Sequence, residues 1–240
     1  MNAIEFGGQL PVAECGVGHR SIAWYSRDMW TEWRKANFAY FRKQLGDLPG
    51  SAKLVDLGCG ALQFEELFKQ FDYTGVDFQA YPHASVVCDL NSRFPFEDES
   101  FDILTASNTL EHIPDGAAFV HECFRITKKG GRIVGTVPFL MVEHQLPYDF
   151  NRYTHVQLEK MLKDAGFEDI EVVPLGKQMD VYNTIELKVF DELRKTRPGW
   201  LLEFVRSLRR LEMRLMRRLF DDAAVHKVTE GYGFSATRKS

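Results

Sequence analysis

Lys53-Leu54-Val55-Asp56-Leu57-Gly58-Cys59-Gly60 is the stretch that decides the fold of this chain. An apolar run leads into an acidic residue and then into a turn with two glycines one residue apart. Glycine has no Cβ, so a parallel strand ending in such a turn lets a ligand approach the main chain closely. Seventeen residues after Gly60 a second strand, Tyr73-Thr74-Gly75-Val76-Asp77, ends in another acid. A carboxylate there is placed to accept both hydroxyl hydrogens of a ribose. The two signals together indicate a nucleoside-containing cofactor.

Two such cofactors compete. A dinucleotide fingerprint needs a third glycine three residues after the second, where a helix N-terminus meets the pyrophosphate. Gln63 occupies that position. Asp56 would repel a pyrophosphate but suits a cationic ligand. S-adenosylmethionine carries a sulfonium, an ammonium and no phosphate, so the loop fits it better, and a nicotinamide-dependent oxidoreductase is disfavoured.

Outward from this stretch, strands and helices alternate, which predicts a parallel sheet covered on both faces. Strands are expected at 53–57, 73–77, 85–88, 101–106, 132–137 and 168–174, with a last one at Tyr232–Thr237. One helix is expected to open at Asp115 and close at Gly130-Gly131. Another runs from Thr154, capped with Gln157, to Ala165, and stops at Gly166. Ahead of the sheet, Trp30, Trp33, Asn37, Phe38, Phe41 and Leu45 lie near one face of a helix spanning about 26–45. Such an aromatic stripe reads as core.

Ligands of a doubly wound sheet bind beyond the carboxyl ends of its strands. Val87-Cys88-Asp89-Leu90 places a carboxylate there, able to accept from an adenine amino group while Leu90 packs the ring. Ala106-Ser107-Asn108-Thr109-Leu110-Glu111-His112-Ile113-Pro114-Asp115 follows strand four. Over about residues 50–175 and the last strand, these segments resemble the class I S-adenosylmethionine-dependent methyltransferases. VDLGCG is similar to their first motif, and Asp77 to the acid of their second. The resemblance implies a seven-stranded, mostly parallel α/β sheet with an antiparallel last strand. It further implies that Gly58, Cys59 and Gly60 border the methionyl part, with Asp56 near its ammonium. Asp77 would hold the ribose with Phe78 beside the adenine, Asp89 and Leu90 would recognise the base, and Asn108 would line the pocket near the sulfonium. Glu111 and His112 are expected to shape the loop.

The acceptor side is expected after strand five, in His144-Gln145-Leu146-Pro147-Tyr148-Asp149-Phe150-Asn151-Arg152-Tyr153-Thr154. This HxxPxDxxRYT string resembles a motif of methyltransferases that accompany glycosyltransferases in bacterial surface-polysaccharide assembly. The resemblance implies a hydroxyl of a sugar or lipid-linked glycan as acceptor. A hydroxyl nucleophile gains from a general base, typically ~10²–10⁴-fold. His144 is the candidate base, with Asp149 orienting it or binding the acceptor; the alternative is that Asp149, Arg152 and Tyr153 only pin the loop. His144, Asp149 and His155 form no compact ligand set in the sequence, and no metal is expected.

The 240 residues suit a core at 51–178 and 229–240, a helical N-terminal cap at 1–50 and a helical insertion at 179–228. A net charge of −4 and the lack of basic residues interleaved with aromatics along a groove argue against nucleic acid. Four cysteines without Cys-x-x-Cys spacing, no apolar signal and no long apolar run lead to the expectation of a cytoplasmic protein. Residues 194–218 stand apart, with nine Lys/Arg against two Glu. On a helical wheel Leu201, Phe204, Val205, Leu208, Leu211, Leu215 and Leu219 share one face, and Arg206, Arg210, Arg214, Arg217 and Arg218 the other. This composition suits a helix on an anionic membrane surface, over about 200–220, or one packed on its own domain or on a twin chain. A membrane-associated scaffold without chemistry is the remaining alternative, and the intact Asp56, Gly58, Gly60, Asp77 and Asp89 speak against it.

Overall fold

Strand β1, Lys53–Leu57, is buried along its length except at Lys53, and Leu54, Val55 and Leu57 expose none of their surface. A strand buried on both faces belongs in the middle of a parallel sheet. A computed structural model, which describes residues 30–81, 84–219 and 227–239, places it there. The remaining strands are β2 (Asp72–Asp77), β3 (Val86–Val87), β4 (Phe101–Ser107), β5 (Thr127–Pro138), β6 (Glu168–Leu175) and β7 (Gly231–Thr237). Their order is β3-β2-β1-β4-β5-β7-β6. The first five run parallel, and β7 runs antiparallel to both β5 and β6. This is the doubly wound sheet with a reversed last strand that the sequence predicts. The order reverses between β1 and β4, and a crevice for a ligand opens where it does.

Side chains alternate across the sheet, so each strand feeds two cores. Leu54, Ile103 and Val134 face a cluster with Trp30, Phe38, Phe41, Phe64 and Phe68. Val55, Leu104 and Ile133 face Phe119, Cys123, Leu158 and Phe167. The first cluster is supplied largely by α1, Glu32–Leu45, whose N-cap Thr31 accepts the Arg34 N–H, with Phe68 coming from the short α2, Glu65–Phe68. The expected helix start near residue 26 falls outside the described residues.

On the opposite face lie α3 (Gly116–Ile126) and α4 (His155–Ala165). Asp115 and Thr154 cap them as expected, accepting from Ala118 N and Gln157 N. α3 stops at Ile126, ahead of the expected Gly130-Gly131. Thr127 takes an extended backbone and pairs with Phe101, so the chain enters β5 five residues sooner than its apolar run suggests. The Gly130 N–H then donates to the Arg238 carbonyl at 2.7 Å. At the sheet edge β3 is shorter than expected, Val86–Val87 against 85–88.

Between β6 and β7 stand α5 (Gln178–Leu193) and α6 (Gly199–Leu219), separated by a short break that ends at Pro198. Leu175 pairs directly with Gly231, and Gly231 with Pro138. The insertion therefore leaves and rejoins the sheet at the rim where β1 and β4 also end. Arg209 on α6 binds Glu186 on α5 at 2.9 Å and also reaches the Tyr182 hydroxyl. Leu202 and Phe190 are buried, whereas Trp200, Phe204, Leu208, Leu211 and Leu215 are exposed, Trp200 by 74% and Leu211 by 67%.

Candidate active site

The turn after β1 is clamped by two backbone bonds. The N–H groups of Gly58 and Cys59 both donate to the Val76 carbonyl, at 2.8 and 3.0 Å. Gly58 has φ +80°, and a Cβ there would lie 2.4 Å from the Thr109 hydroxyl. Gly60 also has positive φ, and a Cβ on it would meet open space. The first glycine is thus required by packing and backbone together, the second by backbone alone.

Beyond these strand ends lies a cavity of about 480 Å³, in the ordinary range for small-ligand sites. It brings together all nine residues assigned to the donor from sequence: Asp56, Gly58, Cys59, Gly60, Asp77, Phe78, Asp89, Leu90 and Asn108. Asp77 Oδ2 accepts the Gly60 N–H at 2.9 Å and Oδ1 the Gln79 N–H at 3.1 Å, so the acid at the end of β2 holds the glycine turn in place. Phe78 is exposed beside it. Asp89 accepts both the backbone and side-chain N–H groups of Asn91.

Asp56 is buried under two hydroxyls, Thr105 at 2.8 Å and Tyr73 at 3.2 Å. Burial pushes its carboxyl up to about 6 against those hydrogen bonds, and it raises Asp77 as well. Two buried acids on one wall prefer a cation. Burial, with Asp56 and Asp77 nearby, pushes the Cys59 thiol up to about 12, so this wall presents a neutral sulfhydryl. The arrangement fits S-adenosylmethionine: a rim acid for diol hydroxyls, a buried acid for an ammonium, and a bare turn that makes no demand for phosphate.

The sequence reading missed part of the wall. Phe64, Tyr81, His112, Gln145 and Tyr148 also line the cavity. Gln145 and Tyr148 lie inside the quoted HxxPxDxxRYT string, and His112 in the string after β4, so the signal was present without an assignment. His144 and Asp149 stand just behind this wall. The Asp149 carboxylate lies 3.3 Å from His144 Nδ1 and accepts the His144 backbone N–H at 2.8 Å. It also takes a two-pronged bond from Arg152, at 2.5 and 2.7 Å. That bond and the His144 contacts hold Asp149 below the usual carboxylate range despite its burial. Arg152 bonds the carbonyls of Val142 and Asn151, and the Tyr153 hydroxyl reaches the Leu110 carbonyl. Asp149 thus contacts both His144 and Arg152, while Arg152 and Tyr153 tie the loop to neighbouring carbonyls.

Glu111 and His112 do more than shape a turn. The Glu111 carbonyl accepts the N–H groups of Phe150 and Asn151, fastening the loop after β5 to the loop after β4. The Glu111 side chain is fully buried, neither of its oxygens has a hydrogen-bond partner, and burial pushes it up to about 8. His112 Nε2 is likewise buried and without a partner. Burial lowers both His112 and His144 from their ordinary value. His144, Asp149 and His155 do not come together as a set; Glu111, His112 and His144 instead bring one potential ligand atom each to within 4.8 Å of one another. His155 lies elsewhere, against the Tyr232 ring.

Known proteins agree with this geometry. The family described as "Methyltransferase domain" matches residues 29–172. A ubiquinone biosynthesis O-methyltransferase of Psychrobacter arcticus is 25% identical over 185 residues, 60% of this chain and 72% of that protein. Its counterpart from Pseudomonas entomophila is 30% identical over 173 residues, 56% of this chain and 75% of that protein. Among solved structures, the phosphoethanolamine N-methyltransferase 2 of Haemonchus contortus, in complex with S-adenosyl-L-methionine, superposes with a TM-score of 0.54. It is 19% identical, and the match covers 87% of this chain and 53% of that one. With the donor cavity built as described and the family matched over most of the sheet, the chain belongs to the methyltransferase domain family and is an S-adenosylmethionine-dependent methyltransferase.

Proposed function

We propose that this enzyme methylates a hydroxyl oxygen of a small molecule, and that the acceptor is a sugar or lipid-linked glycan. When bound, S-adenosylmethionine supplies a methyl already activated by its sulfonium, so that attack by the acceptor oxygen breaks the methyl–sulfur bond and leaves both electrons on sulfur. The protein's task is then to hold the hydroxyl in line and to take its proton. The observation that carries this reading is His144, aligned by Asp149 at 3.3 Å and adjacent in sequence to the cavity-lining Gln145. A neutral imidazole whose Nδ1–H is engaged by a carboxylate presents Nε2 as a base. Asp56, Asp77, Asp89 and the glycine turn grip the donor, and Asn108 lines the wall near its reactive end.

A second acceptor reading has specific support. Two of the relatives above are named as O-methyltransferases of ubiquinone biosynthesis, which favours a ring hydroxyl in quinone formation. Incubating the purified protein with S-adenosylmethionine and two panels, glycan lipids with nucleotide sugars and hydroxylated quinone precursors, separates the two. Mass spectrometry of the methylated product decides between them. A product formed at an unchanged rate by His144→Ala would remove His144 as the base.

We further propose that the α5–α6 insertion rests on an anionic membrane. The exposed row Trp200, Phe204, Leu208, Leu211 and Leu215 and the cationic surplus of 194–218 support this. Among the described residues no helix is long and apolar enough to cross a bilayer, so the contact proposed is peripheral. Sedimentation with phosphatidylglycerol vesicles, lost in Leu208→Asp/Leu211→Asp, is the expected result. Retention of the protein in the supernatant at low salt, or its recovery as a dimer that hides these residues, overturns it.

A further inference from the structure

Glu111, His112 and His144 converge from two loops on one point behind the cavity wall. Glu111 Oε1 lies 3.8 Å from His112 Nε2 and 3.9 Å from His144 Nε2. These separations are too long for hydrogen bonds. The three ligand atoms nevertheless all lie within 4.8 Å of one another. A buried carboxyl group with two unsatisfied oxygens is costly, because nothing in the fold replaces the water it gives up. Its neighbour atom, His112 Nε2, is unsatisfied as well.

The far side of each ring shows why both Nε2 atoms are available. His112 Nδ1 lies 2.8 Å from the Tyr148 carbonyl, which only accepts, so Nδ1 carries the proton and Nε2 a lone pair. His144 Nδ1 faces the Asp149 carboxylate and is fixed in the same way. Metal-binding histidines are oriented by such outer contacts to carbonyls and carboxylates. Ligands about 2.1 Å from a tetrahedral cation stand about 3.4 Å apart, so the two carboxylate–imidazole separations need to close by only about half an ångström, and the two imidazoles by at most about 1.4 Å, to reach ligating distance.

We propose that Glu111, His112 and His144 bind a divalent transition-metal cation, and that the cation's open positions take the oxygens of a hydroxylated acceptor. Two imidazoles and one carboxylate suit zinc, cobalt, manganese or iron better than calcium. His112 lines the donor cavity, so a cation held on it stands next to the acceptor's place. A bound hydroxyl loses its proton to solvent more readily, because the cation stabilises the oxygen anion left when the O–H bond breaks. This role rests on the hydroxyl-acceptor reading above; the site itself does not. In the loaded enzyme His144 is a ligand, and activation of the hydroxyl passes from its imidazole to the cation.

The test is titration of chelator-stripped protein with Co²⁺, followed by visible absorption and calorimetry. One equivalent is expected to bind and to give the intense d–d bands of a low-symmetry nitrogen and oxygen site. Glu111→Gln and His144→Ala are expected to weaken uptake at least tenfold, while the exposed His121→Ala leaves it unchanged. S-adenosylhomocysteine affinity, measured on the same samples, reports whether each variant is folded, and the half-exposed His144 provides a variant in case Glu111→Gln does not fold. Absence of stoichiometric uptake by the parent protein, or uptake indifferent to both substitutions, overturns the site. Methyl transfer that survives chelator and Glu111→Gln but not His144→Ala rejects the cation while leaving the hydroxyl reading intact.

Discussion

Asn108 and Trp33 are joined across 75 residues by a hydrogen bond, the indole Nε1–H donating to the Asn108 side-chain oxygen at 3.2 Å. Asn108 has a positive φ of 52° and lines the donor cavity. The aromatic helix that the sequence assigns to the core alone therefore also holds a residue of the site.

Asn108→Gly keeps the left-handed backbone and loses the bond, whereas Asn108→Ala loses both. A single neutral hydrogen bond contributes about 1 kcal/mol, and a non-glycine residue without asparagine's local bonding costs about a further 1 kcal/mol at this φ. Chemical denaturation is expected to rank parent above Asn108→Gly above Asn108→Ala. Donor affinity measured by calorimetry falls several-fold in both.

The two glycines of the turn are expected to respond unequally. Gly58→Ala drives a methyl group into Thr109, whose hydroxyl binds the Leu57 carbonyl at 2.8 Å. Gly60→Ala meets only its backbone penalty, about 1 kcal/mol. S-adenosylhomocysteine binding should drop at least tenfold in the first and by less in the second. Equal losses would mean that contact with the donor, not Thr109, sets the requirement.

Asp56 is expected to make both stability and donor binding pH-dependent, with opposite signs. Its carboxyl titrates at about 6 in the fold, above the unfolded value of about 3.9. The folded chain therefore binds the extra proton, and this contribution, about 3 kcal/mol, is full below about pH 4 and is lost as pH rises through about 6. The donor's ammonium instead favours the ionised carboxylate. Its affinity is expected to be flat above about pH 7 and to fall about tenfold per unit below about pH 6, with proton release on binding. Calorimetry in two buffers of different ionisation heat reads that proton directly. Tyr73→Phe removes one hydrogen bond to the carboxylate and is expected to move the fall to higher pH.

Asp149→Asn breaks the paired bond to Arg152 and the carboxylate contact to His144 together. Loss of a charge-assisted pair in which Asp149 exposes only 1% of its side chain is expected to destabilise by about 3 kcal/mol. Turnover should fall more than donor KM rises, because no Asp149 atom lines the donor cavity.

The sheet was legible because β1 to β4 are short apolar runs with an acid or a small residue at or beside their ends: Asp56, Asp77, Asp89, Ser107. Carboxylates at strand ends announce themselves locally, and all nine residues assigned to the donor from sequence line one cavity. The Glu111–His112–His144 cluster was not legible. Its members sit about thirty residues apart, two in the 3-10 turn Leu110–His112 and one in an irregular loop, and backbone bonds from Phe150 and Asn151 to Glu111 bring them together. Side-chain chemistry gave no periodic signal of that juncture. The end of α3 was misjudged for a simpler reason: Thr127-Lys128-Lys129 permits helix, and pairing with Phe101 draws it into β5.

The direct pairing of Leu175 with Gly231 has an evolutionary corollary. The chain departs and returns at facing positions of adjacent strands, so everything from α5 to α6 is a cassette that a tight turn can replace without disturbing the strand register. Its helices can therefore vary in length and surface chemistry while the rim of the sheet around the donor cavity keeps its register.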